Sequence, residues 1–463
     1  MLFNKISPTI FSILLFVSFV TALVPQDLLI TILSQQEGYN AAQAKLLQAN
    51  IQSQSLNKEP PEIILSHKLD VYGSWTIVPL LPYLHEQNKT ARWYIFCLEN
   101  TAIDLNKLLN VLNKYDADIY KKMWIGNALY DKEPTITHHY AEHSKRFKYP
   151  NLGSGFAMSK HLFESLVNKA KNYIPPNRDF NVDASYEFAT FVLNESKGIR
   201  LTHVPEFCDV SSTNCATYPK PFHACDKIRL PQKIYVAVKT CAKYHVDRLK
   251  FIKKTWARHA ENIGYFTNEL DENLPNGYLT PDTEEGHCSK TFSILKQVAP
   301  ILKEKKLDWL LITDDDTIIS MARLLRMLTC YNPADLVAIG ERYGFRSTQI
   351  HGYDYLTGGA GVVLSTQLVL EMIKPKVCDC PSSTTPDDMF LFGVCLAQLG
   401  IKVTHSPLFH QARPKDYATV YLATKEPISF HQYANIDPIQ VYKEWFEDDD
   451  DFLPDYSIKH SEL

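Results

Sequence analysis

The sequence of 463 residues has no excess of positive charge: 48 lysines and arginines stand against 52 aspartates and glutamates, a formal net charge of −4. Without a basic surface to neutralise phosphates, nucleic acid is not expected as a partner. Long apolar runs are also absent beyond the first 24 residues. Because a helix needs about 20 apolar residues to cross a bilayer, no stable membrane span is expected.

The two chain ends carry targeting signals. The apolar run from about Ile10 to Val24 is short, and small residues before a cut after Ala22 predict a signal peptide over residues 1–22. A type II membrane anchor is the alternative. The last four residues, His460–Leu463, resemble the Lys/His-Asp-Glu-Leu retrieval signal except at Ser461. Together these signals predict a protein of the endoplasmic reticulum lumen.

Cys-x₂-Cys pairs are missing, which argues against a structural zinc site. The chain nevertheless has ten cysteines, an even number that in a secretory protein predicts disulfides whose pairing the spacing leaves open. Cys378 and Cys380 are interpreted as parts of a stapled loop rather than a redox centre. Sequons at Asn88 and Asn194 are candidate glycosylation sites.

A chain of this length is expected to form two domains, and a weak internal repeat supports this expectation. Segments of the first half recur in order in the second: Trp93–Thr101 in Trp309–Thr317, Leu152–Phe156 in Gly358–Val362, and Gly198–Cys208 in Gly400–His410. Diverged copies with loop insertions would give such a pattern; chance similarity between two α/β domains is the alternative. Pro219, Pro221 and Pro231 predict a linker near Cys225 to Pro231, so the predicted domains are 23–228 and 229–463.

Two further stretches have predictions of their own. The segment from Leu28 to about Asn57 is rich in glutamine and leucine and is predicted to be helical near its start, with no site chemistry. The acidic run Glu447–Asp451 lies in a polar tail without a preceding strand and is predicted to be a solvated segment.

The most informative stretch is the apolar run Trp309–Thr313, which is followed by Asp314, Asp315 and Asp316. The run has the composition of a strand buried on both faces. Three carboxylates at its end are costly unless a cation lies there, and Mn²⁺ and Mg²⁺ prefer such oxygen ligands. We therefore predict a metal site, with an acidic turn or a helix cap as the alternative.

The first copy differs from the second at these positions. Leu98, Glu99 and Asn100 align with the three aspartates, and Cys208 aligns with His410. A lone histidine is more often structural than a ligand, but its replacement in the same copy that lacks the aspartates makes His410 a ligand candidate. The first half is therefore predicted to be degenerate and to position the acceptor.

Arg248, Gly358 and Gly359 are further candidates for binding a cofactor. Ile234–Lys239 is predicted to be a strand, and Arg248 near the turn after it could contact phosphate or uracil, although a solvated helix face explains it equally well. Gly358 and Gly359 lie in a turn that lets the backbone approach a ligand, without the spacing of a nucleotide-binding P-loop.

A pair of carboxylates is the candidate for acid–base chemistry. Asp387 and Asp388 precede an apolar run and are placed at a helix N-terminus, where the helix dipole favours the ionised form. An ionised carboxylate facing an acceptor hydroxyl is what a general base requires. A common helix cap is the alternative.

Together these motifs resemble the Fringe-like β-1,3-glycosyltransferases over roughly residues 233–433. The matching segments are Val236–Thr240, Asp314–Asp316, Thr357–Gly361, Pro386–Asp388 and Ser406–His410. The resemblance implies an α/β fold with two GT-A-like domains in tandem, the N-terminal one degenerate, and an inverting transfer that needs a base and a Lewis acid.

The duplicated first half, the cysteines and the C-terminus are similar to those family members that glucosylate the 3-hydroxyl of O-linked fucose on thrombospondin type 1 repeats. This resemblance implies UDP-glucose as donor, Mn²⁺ with Mg²⁺ as the alternative, and folded thrombospondin type 1 repeats bearing O-fucose as partners. The alternatives are transfer of another UDP-sugar such as N-acetylglucosamine, as in Fringe, and a lumenal lectin or folding factor without turnover.

The resemblance also implies roles for single residues at the metal and donor site. Asp316 would bind the metal directly and His410 would complete its coordination. Asp315 would lie against the nucleotide sugar, with Asp314 beside it, and Arg248 would contact the donor.

The resemblance makes Asp388 the base, with one departure from the family pattern. Gly393 lies five residues after Asp388, whereas family members have a glycine four residues after the base. Asp387 therefore remains the alternative.

Overall fold

The computed structural model describes residues 22–55, 58–116, 121–141, 147–173, 179–196, 198–457 and 460. Nearly all of the expected signal peptide and the last three residues of the expected retrieval signal lie outside these residues. No helix within these ranges is long and apolar enough to cross a membrane.

A six-stranded sheet forms the centre of the first half. Its strands lie in the order Thr202–His203, Trp124–Gly126, Phe156–Ser159, Trp93–Leu98, Leu28–Leu33 and Glu62–Leu65. All six residues of Leu28–Leu33 are buried, because alternate side chains pack against helices on opposite faces of the sheet. The helices are Gly38–Ser53, Leu80–Gln87, Leu105–Tyr115, Lys160–Ala170 and Ala184–Glu195.

The start of the segment predicted to be helical is therefore a central strand. Leu28–Leu33 pairs in parallel with both Trp93–Leu98 and Glu62–Leu65. The helix begins only at Gly38, where the Glu37 carboxylate accepts from backbone amides of the first turn.

A seven-stranded sheet forms the centre of the second half. Its order is Gly277–Leu279, Ile263–Thr267, Ile234–Lys239, Trp309–Asp314, Val362–Ser365, Ala338–Gly340 and Thr404–His405. The helices around it are Leu249–Lys254, Cys288–Glu304, Met321–Leu328, Thr366–Met372, Thr419–Ala423, Pro438–Trp445 and Glu447–Asp450, together with a helical run from Asp387 to Gln398. The predicted strands Ile234–Lys239 and Trp309–Thr313 are both present.

Six strands of the first sheet and six of the second lie in the same order and with the same directions. Trp93–Leu98 and Trp309–Asp314 hold the same place, each between a parallel and an antiparallel neighbour. Each segment of the internal repeat overlaps one of the matching strands. The repeat in the sequence therefore corresponds to a repeat in sheet topology.

Short strands complete the edges where the sheets end. Thr317–Ile319 pairs antiparallel with Ser429–His431, and Thr101–Ile103 pairs antiparallel with Thr217–Pro219. The other short strands are Ala128–Leu129, Tyr149–Pro150, Phe180–Asn181, Arg342–Phe345 and Tyr353–Leu356. Since Phe180–Asn181 pairs with Arg342–Phe345, one of these small sheets joins the two halves.

The acidic run Glu447–Asp451 is not wholly solvated, which corrects its prediction. Asp450 is fully buried and accepts hydrogen bonds from Ser320 Oγ at 2.7 Å and Tyr442 Oη at 2.9 Å. Its carboxylate also accepts from the amide of Ala322, in the first turn of helix Met321–Leu328. The run therefore caps a helix of the second half.

The predicted disulfides are present. The bonds join Cys208 to Cys215, Cys225 to Cys330, Cys288 to Cys380 and Cys378 to Cys395, while Cys97 and Cys241 are free. Cys378 and Cys380 each bond to a helix, which agrees with their interpretation as a stapled loop. The four bonds fit a protein of the secretory-pathway lumen.

Candidate active site

The candidate site lies at the carboxyl ends of two neighbouring parallel strands, Ile234–Lys239 and Trp309–Asp314. Their pairing places Lys239 opposite Asp314. Lys239 Nζ lies 3.1 Å from Asp314 Oδ1 and 2.7 Å from Asp387 Oδ2. Burial acts against both charges, but each stabilises the other, so the pKa of Asp314 is lowered and that of Lys239 is raised. Lys239 joins two groups of predicted site residues and was not itself predicted.

Arg248 lies against two of the three consecutive aspartates. Its Nη1 is 2.7 Å from Asp315 Oδ1 and 3.0 Å from Asp316 Oδ2. Thr240 Oγ1 donates to the other oxygen of Asp315 at 2.7 Å. Burial raises the pKa of Asp315 to about 6 despite these partners. Both oxygens of Asp315 are therefore engaged by protein partners, one by Arg248 and the other by Thr240.

His431 is the histidine that the structure places beside the aspartates. Its Nε2 lies 3.1 Å from Asp316 Oδ1 and 3.9 Å from Asp314 Oδ2. One ligand atom from each of these three residues lies within 4.8 Å of the others, the only such group of metal-type ligands in the described part of the chain. Burial lowers the pKa of His431, but the aspartates outweigh it and the pKa is raised. The two carboxylates suit Mn²⁺ or Mg²⁺, and the imidazole offers a third ligand atom.

Strand pairing brings His431 to the aspartates. The strand Ser429–His431 pairs with Thr317–Ile319, directly after the aspartates, and the register sets His431 opposite Thr317. A Cβ at Gly359 would approach the His431 ring to 2.6 Å, so the absence of a side chain at Gly359 makes room for that ring.

His410 lies in different surroundings from those expected of a metal ligand. It is 1% exposed, and its ring packs against Tyr417 and Phe430 with centroids 4.8 and 5.1 Å away. Its Nδ1 lies 3.2 Å from the Ser429 carbonyl oxygen, and its Nε2 has no hydrogen-bond partner among the described residues. Burial lowers its pKa to about 3, so the ring is neutral. The structure groups His431, not His410, with Asp314 and Asp316, because the strand after His410 carries the second histidine to the aspartates.

The two carboxylates of the predicted acid–base pair have different environments. Asp387 Oδ2 accepts from Lys239 at 2.7 Å and from Thr291 Oγ1 at 2.5 Å. Asp388 accepts from its neighbouring amide, Met389 N, and no described side chain donates to it. Burial, with a contribution from Asp387, raises the pKa of Asp388 to about 6. Asp387 is therefore fixed by protein partners, whereas Asp388 keeps a free oxygen.

The helix that follows this pair widens into a π-helical turn over Phe390–Val394. Gly393 lies in that turn, and a Cβ there would approach Tyr355 Cβ to 2.8 Å. A π turn is what one extra residue inside an α-helix produces. One extra residue in this turn would account for Gly393 lying five residues after Asp388 rather than four.

Gly358 lies close to both Lys239 and Asp388 and has no side chain to fill the space between them. A Cβ at Gly358 would lie 3.9 Å from Lys239 Nζ and 4.0 Å from Asp388 Cβ. The glycine-rich turn predicted to face a ligand therefore borders the space between the metal-type cluster and the candidate base.

Both halves of the chain are similar to known proteins. A family model described as Fringe-like matches residues 79–220 and, separately, 229–457. The chain is 41% identical over 429 residues to the Mus musculus protein named beta-1,3-glucosyltransferase, covering 91% of this chain and 86% of that protein. It is 41% identical over 435 residues to the Homo sapiens protein of that name, covering 92% and 86%.

More distant likenesses cover less of the chain or are weaker. Beta-1,3-N-acetylglucosaminyltransferase lunatic fringe of Mus musculus is 30% identical over 205 residues, 39% of this chain and 53% of that protein. Among solved structures, the WbbM bifunctional glycosyltransferase in its apo form aligns with a TM-score of 0.30 and 12% identity, covering 94% of this chain and 99% of that one. Because the family model matches most of the sequence and the 41% identical relatives align along nearly all of it, the chain belongs to the Fringe-like family of glycosyltransferases.

Proposed function

We propose that the protein is an inverting, metal-dependent β-1,3-glucosyltransferase that moves glucose from UDP-glucose to the 3-hydroxyl of O-linked fucose on thrombospondin type 1 repeats. One observation carries the chemistry: a three-ligand cluster and a separate carboxylate with a free oxygen lie on either side of Lys239. The choice of glucose is supported by the name of the 41% identical relatives.

Asp314, Asp316 and His431 would hold the divalent cation, which we take to be Mn²⁺, with His431 in the place first assigned to His410. When bound, such a cation supplies Lewis-acid stabilisation to the leaving diphosphate, so no protein acid is needed there. Asp316 reaches both His431 and Arg248, and this fixes its carboxylate towards the cluster.

Asp388 would accept the proton of the fucose hydroxyl. A base works best when its pKa lies near the working pH, and burial raises the pKa of Asp388 to about 6. Asp387 cannot take this role without losing Lys239 and Thr291, so we assign it to positioning Lys239.

The donor would lie between these groups. Gly358 leaves space for it beside Lys239, and Gly359 makes room for the His431 ring at the edge of that space. Arg248 contributes positive charge next to Asp315, which supports its proposed contact with the donor phosphates.

The architecture we propose is two GT-A-like domains in tandem, residues 23–228 and 229–463, after a signal peptide over residues 1–22. The shared strand order of the two sheets supports the tandem arrangement. The first domain has Leu98 and Asn100 in place of two ligands and is degenerate. Its role is to position the folded acceptor, and the C-terminal His460–Leu463 retains the protein in the endoplasmic reticulum.

The test is transfer to an O-fucosylated thrombospondin type 1 repeat with UDP-glucose, UDP-galactose and UDP-N-acetylglucosamine in parallel, each with Mn²⁺ or with EDTA. We expect UDP release and a hexose mass increment on the repeat with UDP-glucose and Mn²⁺ alone. Turnover with UDP-N-acetylglucosamine instead would favour a Fringe-like specificity. No turnover with any donor would favour a lumenal binding protein.

A further inference from the structure

A cavity of about 470 Å³ lies between the two halves of the chain. Leu33 and Leu98, the last residues of strands Leu28–Leu33 and Trp93–Leu98, contribute to its wall. The cavity is therefore at the edge of the first sheet that matches the candidate active site of the second. Its volume is within the range of about 300–1,000 Å³ for small-molecule sites.

The donor set at this edge does not suit a cation. Glu99 is the carboxylate that follows the strand, and Leu98 and Asn100 flank it where the second sheet has aspartates. The amide of Asn40 donates to Glu99 Oε1 at 2.8 Å, and burial raises the pKa of Glu99. A single carboxylate held by an amide can accept hydrogen bonds from a ligand but does not form a metal-bridged diphosphate site.

The second half contributes a cation to the opposite wall. Arg342 lies with its Cζ 4.3 Å from the Trp75 ring, and its Nε has no hydrogen-bond partner in the described part of the chain. A buried donor without a partner is costly, so its presence points to a group that fills the cavity. Glu99 and Arg342 influence each other's pKa across this space without forming an ion pair.

Aromatic rings supply the rest of the wall near Asn40. The rings of Tyr39 and Tyr331 have centroids 5.5 Å apart, and Tyr331 Oη donates to Asn40 Oδ1 at 3.4 Å. Aromatic faces beside a few directed polar groups suit a ligand with apolar and hydroxyl-bearing sides. The wall also carries Asp183, Glu341, Lys220 and Lys425. Because carboxylates and cations both line the cavity, neither sign of ligand charge is favoured, and an uncharged ligand with several hydroxyls fits.

We propose that this cavity is a second, metal-independent binding site for an uncharged saccharide. Glu99 and Asn40 bind hydroxyls on one side of the sugar and Arg342 donates to hydroxyls on the other, while Trp75 and Tyr39 contact its C–H faces. The site is separate from the transfer chemistry and adds a glycan-recognition function to the degenerate half.

Saturation-transfer NMR on the full chain in EDTA tests this site with three probes. These are methyl α-L-fucopyranoside, methyl β-D-glucopyranoside and the methyl glycoside of the glucose-β-1,3-fucose disaccharide. At least one is expected to receive saturation. Glu99→Gln and Arg342→Met should each weaken that binding about tenfold, because each removes a hydrogen bond to a charged group.

The control is Arg346→Met, which removes an arginine that is 49% exposed and pairs with Asp179 outside the cavity; it should bind as the intact protein does. Melting temperatures of all variants confirm that they are folded. Binding must also survive Asp316→Ala, since it does not use the metal-type cluster. Absence of saturation with every probe, equal binding by both cavity variants and wild type, or loss of binding in Asp316→Ala would each overturn the proposal.

Discussion

Lys239 and Asp387 form a buried ion pair, with 2.7 Å between Nζ and Oδ2. The same ammonium lies 3.1 Å from Asp314, so one lysine links the end of a central strand to the start of the helix that carries the candidate base. This link fixes the separation between the metal-type cluster and Asp388.

Replacing that lysine should therefore affect folding and turnover together. Lys239→Met leaves two buried carboxylates without their cation, and removing one partner of a buried pair costs about 3–5 kcal/mol. We expect a lower melting temperature and a large loss of transfer. Lys243→Met, a change at an exposed lysine four residues on, is the control and should leave both unchanged. A Lys239→Met protein with wild-type stability would show that the ion pair does not stabilise the fold.

Substitutions of His431 and of His410 should differ in their effect on the Mn²⁺ requirement of transfer. His431→Ala removes a proposed ligand, so the Mn²⁺ concentration for half-maximal transfer should rise by at least about tenfold, the lower end of what even outer-shell changes cause. His410→Ala removes a ring packed against Tyr417 and Phe430 and should lower the melting temperature without changing the Mn²⁺ requirement. Titrating Mn²⁺ in transfer assays of both variants distinguishes them, and the reverse pattern would restore His410 as the ligand.

Much of the second half could be predicted from sequence, because its strands are apolar runs that end in chemically distinctive residues. Trp309–Asp314 and the helix after Asp387 are examples. His431 was missed because strand pairing far along the chain, not sequence proximity, brings it to Asp316. Lys239 was missed because its partners lie on two other elements.

Two predictions, one in each half of the chain, were wrong. Leu28–Leu33 is a central strand, but it was predicted to be helical because the glutamine- and leucine-rich helix Gly38–Ser53 follows it closely. Asp450 resembled a solvated acid because its partners, Ser320 and Tyr442, are supplied by tertiary packing. In each case a distant contact overrode the local pattern.

The pH dependence of transfer should reflect the ionisation of the proposed base, Asp388. Asp388 must be ionised to accept a proton, and burial raises its pKa to about 6. Activity is then present above this pH and falls as pH drops through about 6, reaching roughly a tenth of its plateau one unit below. Measuring kcat at saturating Mn²⁺ and UDP-glucose checks this. A flat profile down to pH 5 would contradict the assignment.

The choice between the paired carboxylates can be tested by single amide substitutions. Asp388→Asn should be folded and lose about 10²–10⁴-fold in rate, as expected for a positioned base. Asp387→Asn keeps an acceptor for Thr291 but weakens the pair with Lys239, so it should melt at a lower temperature and keep activity within roughly tenfold of wild type. If Asp387→Asn is the inactive variant, the base is Asp387 and the π turn after Asp388 has not preserved the register.

The most direct measurement of the account is transfer of glucose from UDP-glucose to an O-fucosylated thrombospondin type 1 repeat by Asp316→Ala and by Asp308→Ala. Both changes remove an aspartate beside the strand Trp309–Asp314, one at the carboxyl end among the metal-type ligands and one before the amino end. We predict that Asp316→Ala has no detectable Mn²⁺-dependent transfer while Asp308→Ala matches wild type. Wild-type turnover by a folded Asp316→Ala protein at limiting Mn²⁺ would contradict a metal-dependent site in the second half.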